Sequence, residues 1–137
     1  MALLARRDYA SGELRAKLHA QFFDEATVEG VITDLAGEGI LNDERFAQNY
    51  VAYHAQRGQG PVRIGEDLRK LGLSEGLLEA ALAGGLDWRA LALKVRCGKF
   101  GTELPLSRVE LARQMRFLQY RGFSSDDVRA ATGDDFD

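Results

Sequence analysis

Arg113, Arg116, Phe117 and Tyr120 fall within eight residues in the segment RQMRFLQYRGF. At 100° per residue they share one side of a helix, opposite a stripe made by Leu111, Met115 and Leu118. Guanidinium groups beside aromatic rings are suited to binding. The rings offer flat apolar area and the cations offer donors for phosphate or carboxylate, a mixture common at binding hot spots. The competing assignment is that Phe117 and Tyr120 pack against a neighbouring part of the chain.

Other cations gather around this segment. Arg57 precedes the joint GQGPVRI and Arg63 lies within it, followed by Arg69 and Lys70. Arg89, Lys94, Arg96 and Lys99 come next, then Arg108, Arg113, Arg116 and Arg121. A surface of this kind can follow a phosphate backbone without reading sequence, or dock on an acidic protein. The bland alternative is solvated lysines and arginines on the backs of helices.

Bond-breaking chemistry lacks its parts. One cysteine, Cys97, and two histidines, His19 and His54, cannot assemble a zinc set. The GQGPVR stretch lacks the lysine of a phosphate loop. No nucleophile motif frames the serines, and the carboxylates read as helix caps or solvated side chains. We expect no enzyme, no cofactor and no metal. His54 reads as an interhelix contact and Cys97 as a partly buried thiol.

The 137 residues amount to about one domain by length. A net charge of −3 hides an uneven distribution. Residues 1–44 hold 4 basic and 9 acidic side chains (−5), and residues 45–85 hold 5 and 4 (+1). Residues 86–125 hold 8 and 3 (+5), and residues 126–137 hold 1 and 5 (−4). No apolar run approaches the roughly 20 residues of a membrane span. The start, MALLARRDYA, is too short and too quickly charged for a secretory signal, so we expect a cytoplasmic protein with no membrane partner.

The elements that hold these side chains are helices, arranged with a period of 50 residues. Leu18, Leu68 and Leu118 align, as do Phe23, Leu73 and Phe123. Asp24, Ser74 and Ser124 follow as caps, then Val28, Leu78 and Val128, then Val31, Ala81 and Ala131. Helix, tight stop and second helix thus recur three times, the mark of a repeat protein whose units bury their apolar faces on neighbours. Gly72 and Gly122 supply the left-handed stop, but Phe22 stands at the first, so that turn should be built differently.

The remaining boundaries follow from local signals. Met1 to Arg7 reads as the tail of a helix. Ser11 caps the next, with Leu14 and Leu18 inward, and Val28, Val31, Ile32 and Leu35 line the third until Gly39 ends it. Asn42 caps a helix whose face is Phe46, Ala47, Tyr50, Val51 and His54. Gly58, Gly60 and Pro61 form a joint, and Ile64 and Leu68 continue inward. Trp88, Leu91, Ala92 and Val95 make one face, Gly98 and Gly101 interrupt, and Ser107 with Glu110 and Ser124 with Asp127 have capping-box spacing. The tail TGDDFD is acidic and should fray. We therefore expect an all-α fold of about eight or nine helices in tandem three-helix repeats. The units cover residues 1–39, 40–85 and 86–131, with a tail at 132–137, in an elongated, curved, right-handed-type array.

A helix-stop-helix unit invites a test as a DNA reader, whose second helix would need donors. The segment 25–38 has no Lys or Arg and four acidic residues, 74–83 has none and two, and 124–131 has one arginine and two aspartates. These are poor recognition helices; the positive charge lies on the helices before them.

The chain resembles the RecX family, bacterial modulators of the RecA recombinase. The matching segments are ARRDYASGELRAKL, GILNDERFAQNYV, RGQGPVRIGEDLRKLGLS, DWRALALKVRCGKFG and RQMRFLQYRGFSSDDVRAA, spread over residues 5–131. LNDERFA, GxGPxRI and RFLQYRGF in this order are specific as a set. The resemblance implies tandem three-helix repeats. It also implies a non-enzymatic monomer that binds the RecA–DNA filament and suppresses its ATPase, strand-exchange and coprotease activities. DNA would be met within the filament and only weakly alone. Carried to this sequence, the contacts would be Arg57, Arg63, Arg69, Lys70, Arg89, Lys94, Arg96, Lys99, Arg113, Arg116, Phe117, Tyr120 and Arg121. The alternative is a sequence-independent DNA-binding module working alone. Family members carry a helix ahead of the ARRDY segment, while here Met1 stands four residues before Ala5. The first unit should then leave its Leu14/Leu18 or Val28/Ile32 face partly uncovered.

Overall fold

The computed structural model describes residues 8–134, and among them the chain forms eight helices and no strand. They are α1 (Ser11–Ala20), α2 (Glu25–Gly37), α3 (Asp43–Gln56), α4 (Pro61–Lys70), α5 (Glu75–Leu82), α6 (Trp88–Phe100), α7 (Arg108–Tyr120) and α8 (Ser125–Thr132). The expected helix tail over Met1–Arg7 and the last three residues of the acidic tail lie outside the described residues.

Six of the eight helices start on a side-chain cap. Asp24, Asn42, Ser74, Asp87, Ser107 and Ser124 each accept a hydrogen bond from the backbone N–H three residues on. The capping boxes are one-sided. Glu110, for instance, turns its carboxylate to Arg113 and Gln114.

Three clusters form the core. Tyr9, Leu14, Leu18, Val28, Ile32 and Leu41 make the first. Phe46, Ala47, Val51, Ile64, Leu68, Leu73 and Leu78 make the second, with Ala10 reaching in from before α1. Ala92, Leu118, Phe123, Val128 and Ala131 make the third. Trp88 packs against both the second and the third, and its indole N–H donates to Leu82 O at 2.9 Å. Helix–helix packing is concentrated within three groups: α1 with α2; α3, α4 and α5 together; α6, α7 and α8 together. The groups meet through turns and helix starts.

Those meetings use the two helices that lack a side-chain cap, α1 and α4. Ser11 was expected to cap α1, yet the structure places it inside the helix after Ala10. Its backbone N–H and its hydroxyl donate to Asp43 at 2.7 and 2.6 Å, so a carboxylate at the start of α3 closes α1 from across the joint. At α4, Gly60 N–H donates to Arg121 O and Val62 N–H to Gly122 O, each at 2.9 Å. The start of α4 is therefore closed by the turn between α7 and α8. The helix that begins uncapped in one group is capped by the next. In the third group, α7 starts on its own Ser107.

Backbones approach closely at these joints. A Cβ on Gly12 would stand 2.9 Å from Leu71 O and 3.1 Å from Gly72 Cα. A Cβ on Gly122 would overlap the side chain of Arg63, and one on Gly60 would overlap the Gly122 carbonyl. Glycine at 72 and 122 thus serves a left-handed turn and a contact between groups together.

Four local expectations need correction. First, the turn at Phe22 is not built differently. Phe22 has φ 69°, its N–H donates to His19 O at 3.0 Å and Phe23 N–H donates to Leu18 O at 3.4 Å. Gly72 and Gly122 make the same pair of bonds with φ of 90° and 95°. Backbone bonding sets this stop, and the 97% exposed Phe22 side chain meets nothing that forbids it. Second, Phe23 does not match its counterparts in burial: it is 47% exposed, against 5% for Leu73 and 3% for Phe123. Third, Leu14, Leu18, Val28 and Ile32 are all buried, so neither face of the first group is uncovered. Fourth, Gly98 does not interrupt its helix; α6 continues to Phe100 and Gly101 ends it.

Candidate functional site

The candidate site grows from the C-terminal end of α3, the outer face of α6 and the end of α7. Arg57 is the C-cap of α3, and its guanidinium donates to Tyr53 Oη at 3.0 Å and lies 5.5 Å from that ring. On α6, Lys94, Val95, Gly98 and Lys99 follow at helical spacing along one side. From α7, Phe117 comes up between Lys99, 5.7 Å from its ring centre, and Arg121, at 5.4 Å. Arg121 also donates to Arg57 O at 3.4 Å, tying the turn after α7 to the end of α3. Together these residues line a cleft of about 410 Å³.

The charge of this cleft is unbalanced. Arg57, Lys94, Lys99 and Arg121 all line it, and no carboxylate does among the described residues. Among the described residues, none of the four makes an ion pair. Four cations in one low-walled hollow raise the local concentration of anions. They can donate to phosphate or carboxylate oxygens, and the half-buried Phe117 ring holds Lys99 and Arg121 in place.

The other expected residues divide. Arg63, Lys70 and Tyr120 line a second hollow of about 510 Å³ between α4 and the end of α7, shared with Glu66 and Asp67 and so mixed in charge. Tyr120 is 79% exposed there, whereas Phe117 packs against the third core and edge-on to Phe100 at 5.3 Å. Arg69 pairs with Glu75, Arg89 with Asp127 at 3.5 Å, and Arg113 with Glu110 at 2.9 Å. The Arg69–Glu75 hydrogen bond raises the arginine pKa and lowers that of Glu75, so this pair is already satisfied. Arg116 and Arg108 are exposed outside both hollows.

Arg96 is the correction within the expected site. It was placed on the basic surface, but its side chain is 1% exposed. It donates to Thr102 O, Glu103 O and Gln114 Oε1 at 3.3, 3.0 and 3.3 Å, fastening the loop after α6 to α7. Gln114 in turn donates to Glu110 Oε1 at 3.1 Å, so an amide relays the buried cation to a carboxylate. Its phase could have revealed it, since Arg96 lies four residues after the buried Ala92 and eight after Trp88.

Elsewhere, burial and the neighbouring Asp67 push the Tyr50 hydroxyl up to about 12, and it donates to that carboxylate at 3.2 Å. His54 was expected to make an interhelix contact, but its ring partners are Tyr50, with ring centres 4.1 Å apart, and Tyr53, both on its own helix α3. Among the described residues, no group of three or more His, Cys, Asp or Glu side chains is placed to hold a metal ion. Among the same residues, no helix is long and apolar enough to cross a membrane.

Comparison with known proteins agrees with this architecture. Residues 42–82 match the family model for the second three-helix domain of RecX, and residues 87–132 match that for the third. Over 132 residues the chain is 44% identical to a regulatory protein RecX from Halorhodospira halophila, covering 96% of this chain and 82% of the relative. Its counterpart from Ectopseudomonas mendocina is 39% identical over 127 residues, covering 92% and 85%. The crystal structure of RecX from Lactobacillus salivarius superposes with a TM-score of 0.82 over 95% of this chain and 87% of that one, at 20% identity. A second crystal structure of a regulatory protein RecX superposes at 0.79 over 98% and 68%, at 23% identity.

Proposed function

The chain belongs to the RecX family, and from that premise we propose that it is a negative regulator of the RecA recombinase. It binds the RecA–DNA filament and lowers its ATPase, strand-exchange and coprotease activities without catalysis of its own. Three units, at residues 1–39, 40–85 and 86–131, form a curved body that lodges on the filament in the cytoplasm and hinders subunit addition and ATP turnover. The observation that carries this reading is the cleft where Arg57 and α3 meet α6 and α7. Its four cations have no acidic partner among the described side chains, which suits an anionic or acidic partner.

ATP hydrolysis by RecA on single-stranded DNA tests this directly. The folded chain should suppress hydrolysis at ratios near one chain per protomer, and unchanged hydrolysis at that ratio rejects the function. The same unpaired cations also suit phosphates, so a stand-alone DNA-binding module is the second reading. Strong, salt-steep binding to DNA without RecA would favour it, and weak binding to DNA with tight binding to the filament would reject it.

A further inference from the structure

The basic cleft continues into an apolar groove. Val51 and Ala52 on α3, Ala80 and Ala81 on α5, and Leu86 and Leu91 line a hollow of about 570 Å³. The two hollows share Ala55, Gln56 and Leu91, so they are one continuous feature. Gln48, Val51, Ala52, Ala55 and Gln56 recur along one face of α3 and lead to Arg57. At 1.5 Å per residue the stretch from Gln48 to Arg57 spans about 14 Å, room for about nine residues of a partner helix. Leu86 is exposed there, and among the described residues no carboxylate lines either part.

Nucleic acid would use the cations but has little use for a trough of alanine and leucine. Small side chains on α3 and α5 leave depth for a partner's larger apolar ones, as in helix-in-groove recognition. The geometry points to a peptide-binding groove. It receives a segment of a protein partner that is apolar for about two turns and acidic at the end that reaches Lys94, Lys99 and Arg121. The inference rests on the regulatory reading only in taking the partner to be filament protein rather than DNA.

The test titrates wild-type chain and Ala52→Trp against RecA–DNA filaments and against the same DNA alone. Ala52 is exposed, so a tryptophan fills the groove without entering the core, and an unchanged melting temperature confirms this. Ala52→Trp should bind filaments at least tenfold more weakly, with an unchanged salt slope and unchanged binding to DNA. Filament binding equal to wild type overturns the inference, as does a proportional loss of DNA binding. A wild-type chain that binds no filament counts against the regulatory reading alone. The groove is then judged by labelled amphipathic leucine peptides ending in four glutamates or four lysines, in both chain orders. Binding of a glutamate peptide that Ala52→Trp abolishes upholds the groove, and equal binding of both charges, or none, overturns it.

Discussion

Arg96 and Arg121 show how alike two arginines look in sequence and how differently they act. Arg121 lies at the cleft with no acidic partner among the described residues, while Arg96 is buried and its terminal nitrogens donate to two loop carbonyls, Gln114 and Cys97 Sγ. Arg96→Leu should cost about 2–4 kcal/mol, because the buried Gln114 and two part-buried carbonyls lose their donor. Urea denaturation measures this, and a loss below 1 kcal/mol would contradict the assignment. Tyr50 makes a pH prediction. Its folded pKa is raised above the ordinary 10, so the folded state holds the proton more tightly. The resulting stability is present below pH 10 and lost as pH rises through about 12. Tyr50→Phe should remove that component of alkaline destabilisation, seen as a flatter stability profile over this range than in the wild-type chain. Equal profiles would show that the hydroxyl is not held by burial and Asp67. Among site residues, those that point outward were legible from charge, but ion pairing was not. Arg89 and Asp127 meet across 38 positions, a closure only the fold reveals.

At the scale of elements, the recurring stop separates two demands that glycine usually meets together. Phe22 and Gly122 both hold left-handed backbone, but only Gly122 is pressed against another helix, at Arg63. Phe22→Gly should stabilise the chain by about 1 kcal/mol, by removing the cost of a side chain in that conformation. Gly122→Ala should destabilise by more than that, because its Cβ also forces the joint open. Thermal melts of the two variants should therefore move in opposite directions, and a shift in the same direction would refute the distinction. Caps and apolar phase are local, which is why five of the six side-chain caps and the repeat could be read from the chain, Asp87 being the exception. The closures at α1 and α4 could not, because Asp43 lies 32 positions from Ser11 and the turn at Gly122 belongs to another group. Asp43 had a sufficient local explanation as a first-turn acid of α3, and that hid its second role.

At the scale of the molecule, three small cores joined at helix starts hold α3 against α6 and α7, and the unpaired cations gather at that joint. The excess positive charge over residues 86–125 was plain in sequence, but its concentration with Arg57 depends on how the second and third groups meet. One titration bears most directly on whether this joint is where the protein acts: ATP hydrolysis by RecA on single-stranded DNA against wild-type chain and against Lys94→Glu/Lys99→Glu. Both lysines are exposed, so the variant should melt as the wild type does. Reversing two of the four cations should raise the concentration for half-inhibition at least tenfold. Inhibition by the folded variant at the wild-type concentration would contradict the account.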